Sequence, residues 1–357
     1  MQLEITQVLE SVLEPNLKKN IIELGMLDRI EIDNHIVRIH LNLPHVDEDT
    51  RTALKDHCSR AVMQLGDFDV RIKMRPRDNR AWHNVKVPQG VKNVRHIVLV
   101  VSGKGGVGKS TVSTNLALAL SQQGQKVGLL DCDIYGPSIP TMMGIRETPR
   151  LNEDQKLIPV EKFGIPLISS GFLIEPDKAL IWRGPMIHKI VSQFLGDVLW
   201  GDLDILLVDL PPGTGDVQLS MAQSTSVRGA VLVTTPQQVA IDDVKRAYSM
   251  LETLKIPVLG IVENMAGFNV PGSNEVISMF SKGGGQKLAD QYHTSLLAQI
   301  PLNPTVCTCG DEGIPIVLKE PGSLVSDAFL SAARNLCTQL EHFERDGIFS
   351  LATETKR

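Results

Sequence analysis

Apolar spacing changes in an informative order along the first 75 residues. Leu9, Val12, Leu13 and Leu17 recur at helical intervals interrupted by Pro15, and Ile21, Ile22 and Leu24 carry the stripe to Gly25, which predicts an opening helix. Ile30 and Ile32, then Val37, Ile39, Leu41 and Leu43, alternate with polar residues on either side of Asp33-Asn34. That is the pattern of two antiparallel strands around a tight turn. The charged amphipathic segment from Asp49 to Leu65 predicts a helix, and Asp69 to Met74 a further strand. The order α-β-β-α-β describes a small α+β unit over residues 1–75.

Periodicity is lost between Arg75 and Arg95, where Pro76, Pro88 and Gly90 lie among Arg75, Arg77, Arg80, Lys86, Lys92 and Arg95. Residues 76–95 read as a linker with solvated charges. Beyond it, uninterrupted apolar runs predict strands at His96–Val101, Lys126–Asp131, Ile205–Asp209, Ala230–Thr234 and Val258–Val262. Helical patterns at Thr111–Gln123 and Asp242–Leu254 lie between them. This alternation predicts an α/β fold: a mostly parallel sheet with helices on both faces and ligands at the carboxyl ends of its strands. Leu324, Ala328, Phe329, Ala332, Leu336 and Leu340 form the apolar stripe of a helix that closes this second domain, 96–345, before a tail at 346–357.

A chain of 357 residues, 42% of them hydrophobic, accommodates both units with a substantial core. With 36 Lys+Arg against 41 Asp+Glu the net charge is −5, which argues against coating nucleic acid or an anionic membrane by charge. No apolar run approaches the roughly 18 residues of a membrane span. Met1-Gln2-Leu3-Glu4-Ile5 lacks the basic and apolar regions of a secretory leader, so a cytoplasmic location with reduced thiols is expected. The five cysteines are scattered, with only Cys307 and Cys309 close together.

The chemistry is concentrated after the first strand of the second domain. Gly103-Lys104-Gly105-Gly106-Val107-Gly108-Lys109-Ser110 matches GxxxxGK[ST] and precedes the helix that opens at Thr111. Glycines let the loop turn its N–H groups toward phosphate oxygens, Lys109 reaches the β- and γ-phosphates, and Ser110 ligates magnesium. Asp209, ending an apolar strand, suits the metal-organising acid that such a fold needs on a second strand, beside the magnesium's water shell. Leu210-Pro211-Pro212-Gly213-Thr214-Gly215-Asp216 then reads as a switch loop. Asp131 and Asp133 end another strand, where one could orient attacking water and the other support the metal shell. Glu263-Asn264-Met265-Ala266 stands where guanine-binding relatives carry NKxD, which favours ATP; Asn264 reads either as a contact to the purine edge or as a turn former.

With its extra early lysine, Lys104-Gly105-Gly106-Val107-Gly108-Lys109-Ser110 resembles the deviant phosphate loop of the dimerising ATPases that include MinD, ParA and nitrogenase iron protein. Asp131-Cys132-Asp133-Ile134-Tyr135-Gly136-Pro137-Ser138, Asp209 to Asp216, and Thr235-Pro236-Gln237 resemble the Mrp/ApbC iron-sulfur cluster carriers. Glu14-Pro15-Asn16-Leu17 and Glu23-Leu24-Gly25-Met26 are similar to the MIP18-like domain of bacterial members. The resemblance implies an ATP- and magnesium-dependent P-loop ATPase that dimerises across the nucleotide, with Lys104 reaching phosphates held by the other subunit. Lys104, Lys109, Asp133 and Asp209 would be its catalytic residues, and iron-sulfur scaffolds and apoproteins its partners. Neither nucleic acid nor membrane is expected among them.

Such carriers hold their cluster through a CxxC shortly after the Asn-Met element, where this chain has Met265-Ala266-Gly267-Phe268-Asn269-Val270-Pro271-Gly272 without cysteine. Cys307-Thr308-Cys309, in a loop following Pro304, is the alternative: either two thiolates per subunit, four per dimer, or incidental packing thiols. Cys132 reads as a packing residue. Gly283-Gly284-Gly285 lacks a following Lys-Ser/Thr pair and reads as the start of a helix rather than a second phosphate loop. Two other readings remain beside the carrier: an ATPase adaptor without a cluster, and a MinD/ParA-like positioning ATPase.

Overall fold

The computed structural model describes residues 2–13, 20–22, 26–33, 35–43, 48–66, 68–76, 88–173, 184–270, 275–280 and 283–352. Two compact units form, residues 1–81 with 350–357, and residues 82–349.

The first unit contains α1 (Gln2–Leu9), β1 (Leu27–Asp33), β2 (Ile36–Leu43), α2 (Glu48–Met63) and β3 (Asp69–Pro76). Its sheet has the order β1-β2-β3, with β1 antiparallel and β3 parallel to β2. Ile5, Leu9, Ile39, Leu41, Leu54 and Cys58 are buried in one core. The opening helix lies earlier than the apolar spacing predicts. It ends at Leu9, and Val12 instead accepts a backbone hydrogen bond from Ile21 (3.0 Å) beside a bridge between Leu13 and Asn20. With the helix ended at Leu9, Val12 and Ile21 reach the core through this local pairing. The motif residues Glu14–Leu17 and Glu23–Gly25, and linker positions 77–87, lie outside the described residues.

The second unit begins with β4 (Val94–Ser102), α3 (Lys109–Gln122), β5 (Val127–Asp131) and α4 (Ile139–Met142). Short strands β6 (Arg150–Leu151), β7 (Leu157–Ile158), β8 (Val160–Lys162) and β9 (Ile165–Ser169) follow, then α5 (Gly184–Gly196), β10 (Leu203–Asp209) and α6 (Asp216–Ser224). The chain continues through β11 (Gly229–Thr234), α7 (Gln238–Thr253), β12 (Val258–Asn269), β13 (Val276–Ile277), α8 (Gly284–Gln291) and β14 (Leu296–Leu302). It closes with α9 (Pro304–Glu312), α10 (Ile316–Lys319) and α11 (Leu324–Ala352), so residues 346–352, set apart above as a tail, are helical.

The main sheet runs β13-β12-β11-β4-β10-β5-β9-β8, with β14 also paired to β12. All its pairings are parallel except β12 with β13 and β8 with β9. Alternate residues of β4 serve opposite cores, Val98 and Val100 with α3 and α11, and Ile97, Leu99 and Val101 with α5 to α7. Burial on both faces explains why the central strands read as unbroken apolar runs. The carboxyl ends of β4, β5 and β10 are adjacent, since Asp209 registers with Val100 and Asp131.

Candidate nucleotide site

The loop between β4 and α3 turns at Gly106 and Gly108, both at φ +81°. A side chain is also excluded at Gly108 because a Cβ there would lie 2.3 Å from Asn264 Nδ2. Asn264 instead donates from Nδ2 to the Val107 carbonyl at 2.8 Å, so its amide is committed to bracing the loop. Gly108 caps α3 and presents Lys109 and Ser110 at the positive end of the helix.

Lys109 Nζ lies 2.7 Å from Asp209 Oδ2 and 3.5 Å from Asp133 Oδ2. Ser110 Oγ donates to the same Asp209 oxygen at 2.7 Å, and Ser113 Oγ donates to Oδ1. Asp209 and Asp131 are fully buried, and Asp133 is 7% exposed. Ser169 Oγ donates to Asp131 Oδ2 at 2.8 Å, and the Asp133 N–H to Oδ1 at 3.0 Å. Burial and then the Asp209 charge push the Asp131 carboxyl up to about 7. Burial also raises Asp133, opposed by the Lys109 ammonium. Of the two acids ending β5, Asp133 faces the cavity, whereas Asp131 lies behind it against Ser169.

A cavity of about 200 Å³ covers the loop and is lined by Lys104, Lys109, Ser110, Thr111, Asp133 and Pro212, among others. The Lys104 side chain is half-buried and has no ion pair among the described residues. Ser110 and Asp209 supply the hard oxygen donors that suit magnesium, and the inward loop suits polyphosphate. Thus Lys104, Lys109, Ser110, Thr111 and Asp133 line one cavity, with Asp209 bonded to Lys109 and Ser110 at its base.

The structure does not bring Cys307 and Cys309 together. Both lie on α9 rather than in a loop, because Asn303 Oδ1 caps the helix by accepting the Thr305 N–H at 2.8 Å and Pro304 opens it. Residues two apart on a helix diverge by about 200°. Cys307 is exposed, with Sγ 3.9 Å from Asp311 Oδ2, while Cys309 is fully buried and its thiol is raised by burial. Among the described residues, no group of three or more His, Cys, Asp or Glu side chains could hold a metal ion.

Gly283–Gly285 starts α8, as the sequence indicates. Glu263 closes that helix end, its Oε1 accepting the Gly285 N–H at 2.7 Å and its Oε2 accepting from Gln299 at 2.5 Å. A Cβ at Gly285 would sit 2.9 Å from that of Glu263. Gln218, buried in the first turn of α6, belongs to no motif of the sequence; its position three residues after Gly215 is the signal that marks it. No helix among the described residues is long and apolar enough to cross a membrane.

Known proteins give the same outline. A model of an iron-sulfur cluster assembly protein domain matches residues 2–74. The chain is 39% identical over 349 residues to an iron-sulfur cluster carrier protein of Helicobacter pylori, covering 97% of this chain and 94% of the relative. It is 40% identical over 327 residues to the Escherichia coli protein of that description, covering 91% and 89%. A solved nucleotide-binding protein from Archaeoglobus fulgidus, in complex with ADP, matches at 40% identity and a TM-score of 0.56, covering 63% of this chain and 88% of that one. Pyrococcus furiosus MinD, at 24% identity and a TM-score of 0.51, covers 69% and 99% respectively and shares the fold. The model of the NUBPL iron-transfer P-loop NTPase family matches residues 93–337, and the chain belongs to that family.

Proposed function

We propose that this chain is an iron-sulfur cluster carrier that binds and hydrolyses Mg-ATP, as a dimer formed across the nucleotide, and delivers clusters to apoproteins. The observation carrying the nucleotide part is the convergence of Lys109, Ser110 and Asp133 with Asp209 over one glycine loop. Carriage is supported by likeness to carrier proteins along nearly the whole chain.

Lys109 neutralises phosphate charge, and its present bond to Asp209 holds it until polyphosphate replaces the carboxylate. Ser110 and Asp209 would hold magnesium, which supplies charge stabilisation to the phosphoryl group. Asp133, facing the cavity with a raised carboxyl pKa, is placed to orient water or accept its proton. Lys104, at the cavity rim without an ion pair among the described residues, is available to phosphates of a second subunit.

The test is ATP turnover with and without magnesium, together with cluster transfer to an apoprotein, in wild type and Lys109→Ala. Magnesium-dependent hydrolysis that Lys109→Ala abolishes is expected; undiminished turnover in that variant would reject the site. The opposed orientations of Cys307 and Cys309 favour a second reading, an ATPase adaptor without its own cluster. Intact ATPase activity with no iron or sulfide retained after anaerobic reconstitution would support the adaptor.

A further inference from the structure

The loop joining β10 to α6 has its shape imposed by one side chain. Gln218 is 1% exposed and projects from α6 back under the loop. Its Nε2 donates to the Pro211 carbonyl at 2.9 Å and to the Gly213 carbonyl at 3.1 Å. Its Oε1 accepts the Gly215 N–H at 3.1 Å. A primary amide is the neutral group that can donate twice and accept once here, so these partners also fix which end is nitrogen. The same loop is tied to the phosphate loop, since the Gly213 N–H donates to the Ser102 carbonyl at 2.9 Å and Ser102 Oγ donates to the Lys104 carbonyl at 3.0 Å.

Pro212, held between two of the carbonyls that Gln218 grips, lines the cavity over the phosphate loop. It also lines a neighbouring cavity of about 530 Å³ bounded by Asp133, Tyr135, Ile187 and Asp216. Asp209 lies just upstream of the loop, so the backbone that Gln218 fixes separates the magnesium acid from α6. We propose that Gln218 is a positioning residue for phosphoryl transfer, holding the 211–215 backbone where it meets the terminal phosphate. The inference rests on the ATPase reading above.

Gln218→Leu removes all three hydrogen bonds. Gln218→Glu keeps the acceptor for the Gly215 N–H but sets a carboxylate oxygen against two carbonyls; protonation restores one donor. Neither substitution alters Lys109 or a residue of the glycine loop, and the Gly213–Ser102 bond joins backbone to backbone, so ADP affinity should fall far less than kcat in both variants. The expected kcat falls about tenfold or more in Gln218→Leu, because a misplaced catalytic loop acts on the barrier rather than on binding. In Gln218→Glu the deficit relative to wild type should shrink as pH falls from 8.5 to 6, because burial raises the introduced carboxyl and its neutral form donates. Titratable groups sharing its cavity are Asp133, Tyr135 and Asp216, and the packed helix α5 carries exposed His188 and Lys189. These are common to wild type and variant, so the ratio isolates residue 218.

The experiment uses the full chain and combines steady-state kinetics with hydrogen exchange at Gly215. Exchange at that amide should accelerate about tenfold or more in Gln218→Leu. Unchanged exchange, a kcat within about twofold of wild type, or a Gln218→Glu ratio that does not vary with pH would overturn the proposal. A wild-type chain that hydrolyses no ATP would reject the ATPase reading and the catalytic role with it, while the exchange result would still report whether the clasp exists.

Discussion

Asn264→Ala removes one hydrogen bond, from Nδ2 to the Val107 carbonyl at 2.8 Å, in a buried setting. A buried acceptor stripped of its donor costs about 1–3 kcal/mol, and each 1.4 kcal/mol is tenfold in an equilibrium constant. Water can reach a relaxed loop and recover part of that loss, so the lower half of the range applies, about five- to thirtyfold. Binding must re-form the loop before its N–H groups can converge, and the penalty therefore appears in affinity. Because the brace acts on the loop, it weakens any polyphosphate equally. Calorimetric titration with ADP and with inorganic tripolyphosphate should give the same factor for both. Gly108→Ala should reproduce the loss, since its Cβ would occupy the Asn264 amide position and its φ of +81° disfavours any L side chain. Tripolyphosphate binding at wild-type strength alongside weakened ADP binding would refute the reasoning and give the amide to the purine.

Two other perturbations probe burial at and near the site. Burial lifts the Asp131 carboxyl to about 7, so its stabilising contribution is fully present below its unfolded pKa and lost as pH rises through about 7. Asp131→Asn should then raise the melting temperature of the nucleotide-free chain more at pH 8 than at pH 5, and equal shifts at both would reject the assignment. Cys307 should react with a thiol reagent in the folded chain well ahead of Cys309, which lies in the core; equal rates would show that α9 opens readily.

The phosphate loop was legible because its chemistry is local: glycines, lysine and serine act through one strand, one turn and one helix start. Asp209 was legible because a buried carboxylate ending an apolar strand is hard to explain by packing. The division of labour between Asp131 and Asp133 was not, since it depends on Ser169 from a strand pairing with β5. The role of Asn264 was similarly hidden, because Val107 lies 157 residues away in sequence. The stripe of Ile187, Ile190, Val191, Phe194 and Leu195 is the sequence signal for α5. The CxC pair stays open in the sequence, between cluster ligands and packing thiols, because spacing in sequence does not set direction. A capping Asn303 and a terminal Gly313 at φ +72° make the segment a helix, and a helix separates neighbours two apart.

That separation constrains how a cluster can be held. Iron-sulfur clusters usually take four cysteine thiolates. In each chain Cys307 lies at the surface while Cys309 is held in the core. Recruiting Cys309 requires α9 to unwind, breaking its cap and exposing Val317, Phe329 and other apolar partners in the same core. A surface thiolate completed by ligands from a scaffold or recipient avoids that cost and suits a cargo that must leave. Anaerobic loading of wild type, Cys307→Ser and Cys309→Ser separates the two routes. If donor or recipient completes the ligand set, Cys307→Ser loses cluster transfer and Cys309→Ser retains it. Loss of iron and sulfide in Cys309→Ser, with its ATPase activity intact, would show instead that α9 unwinds to load the cluster.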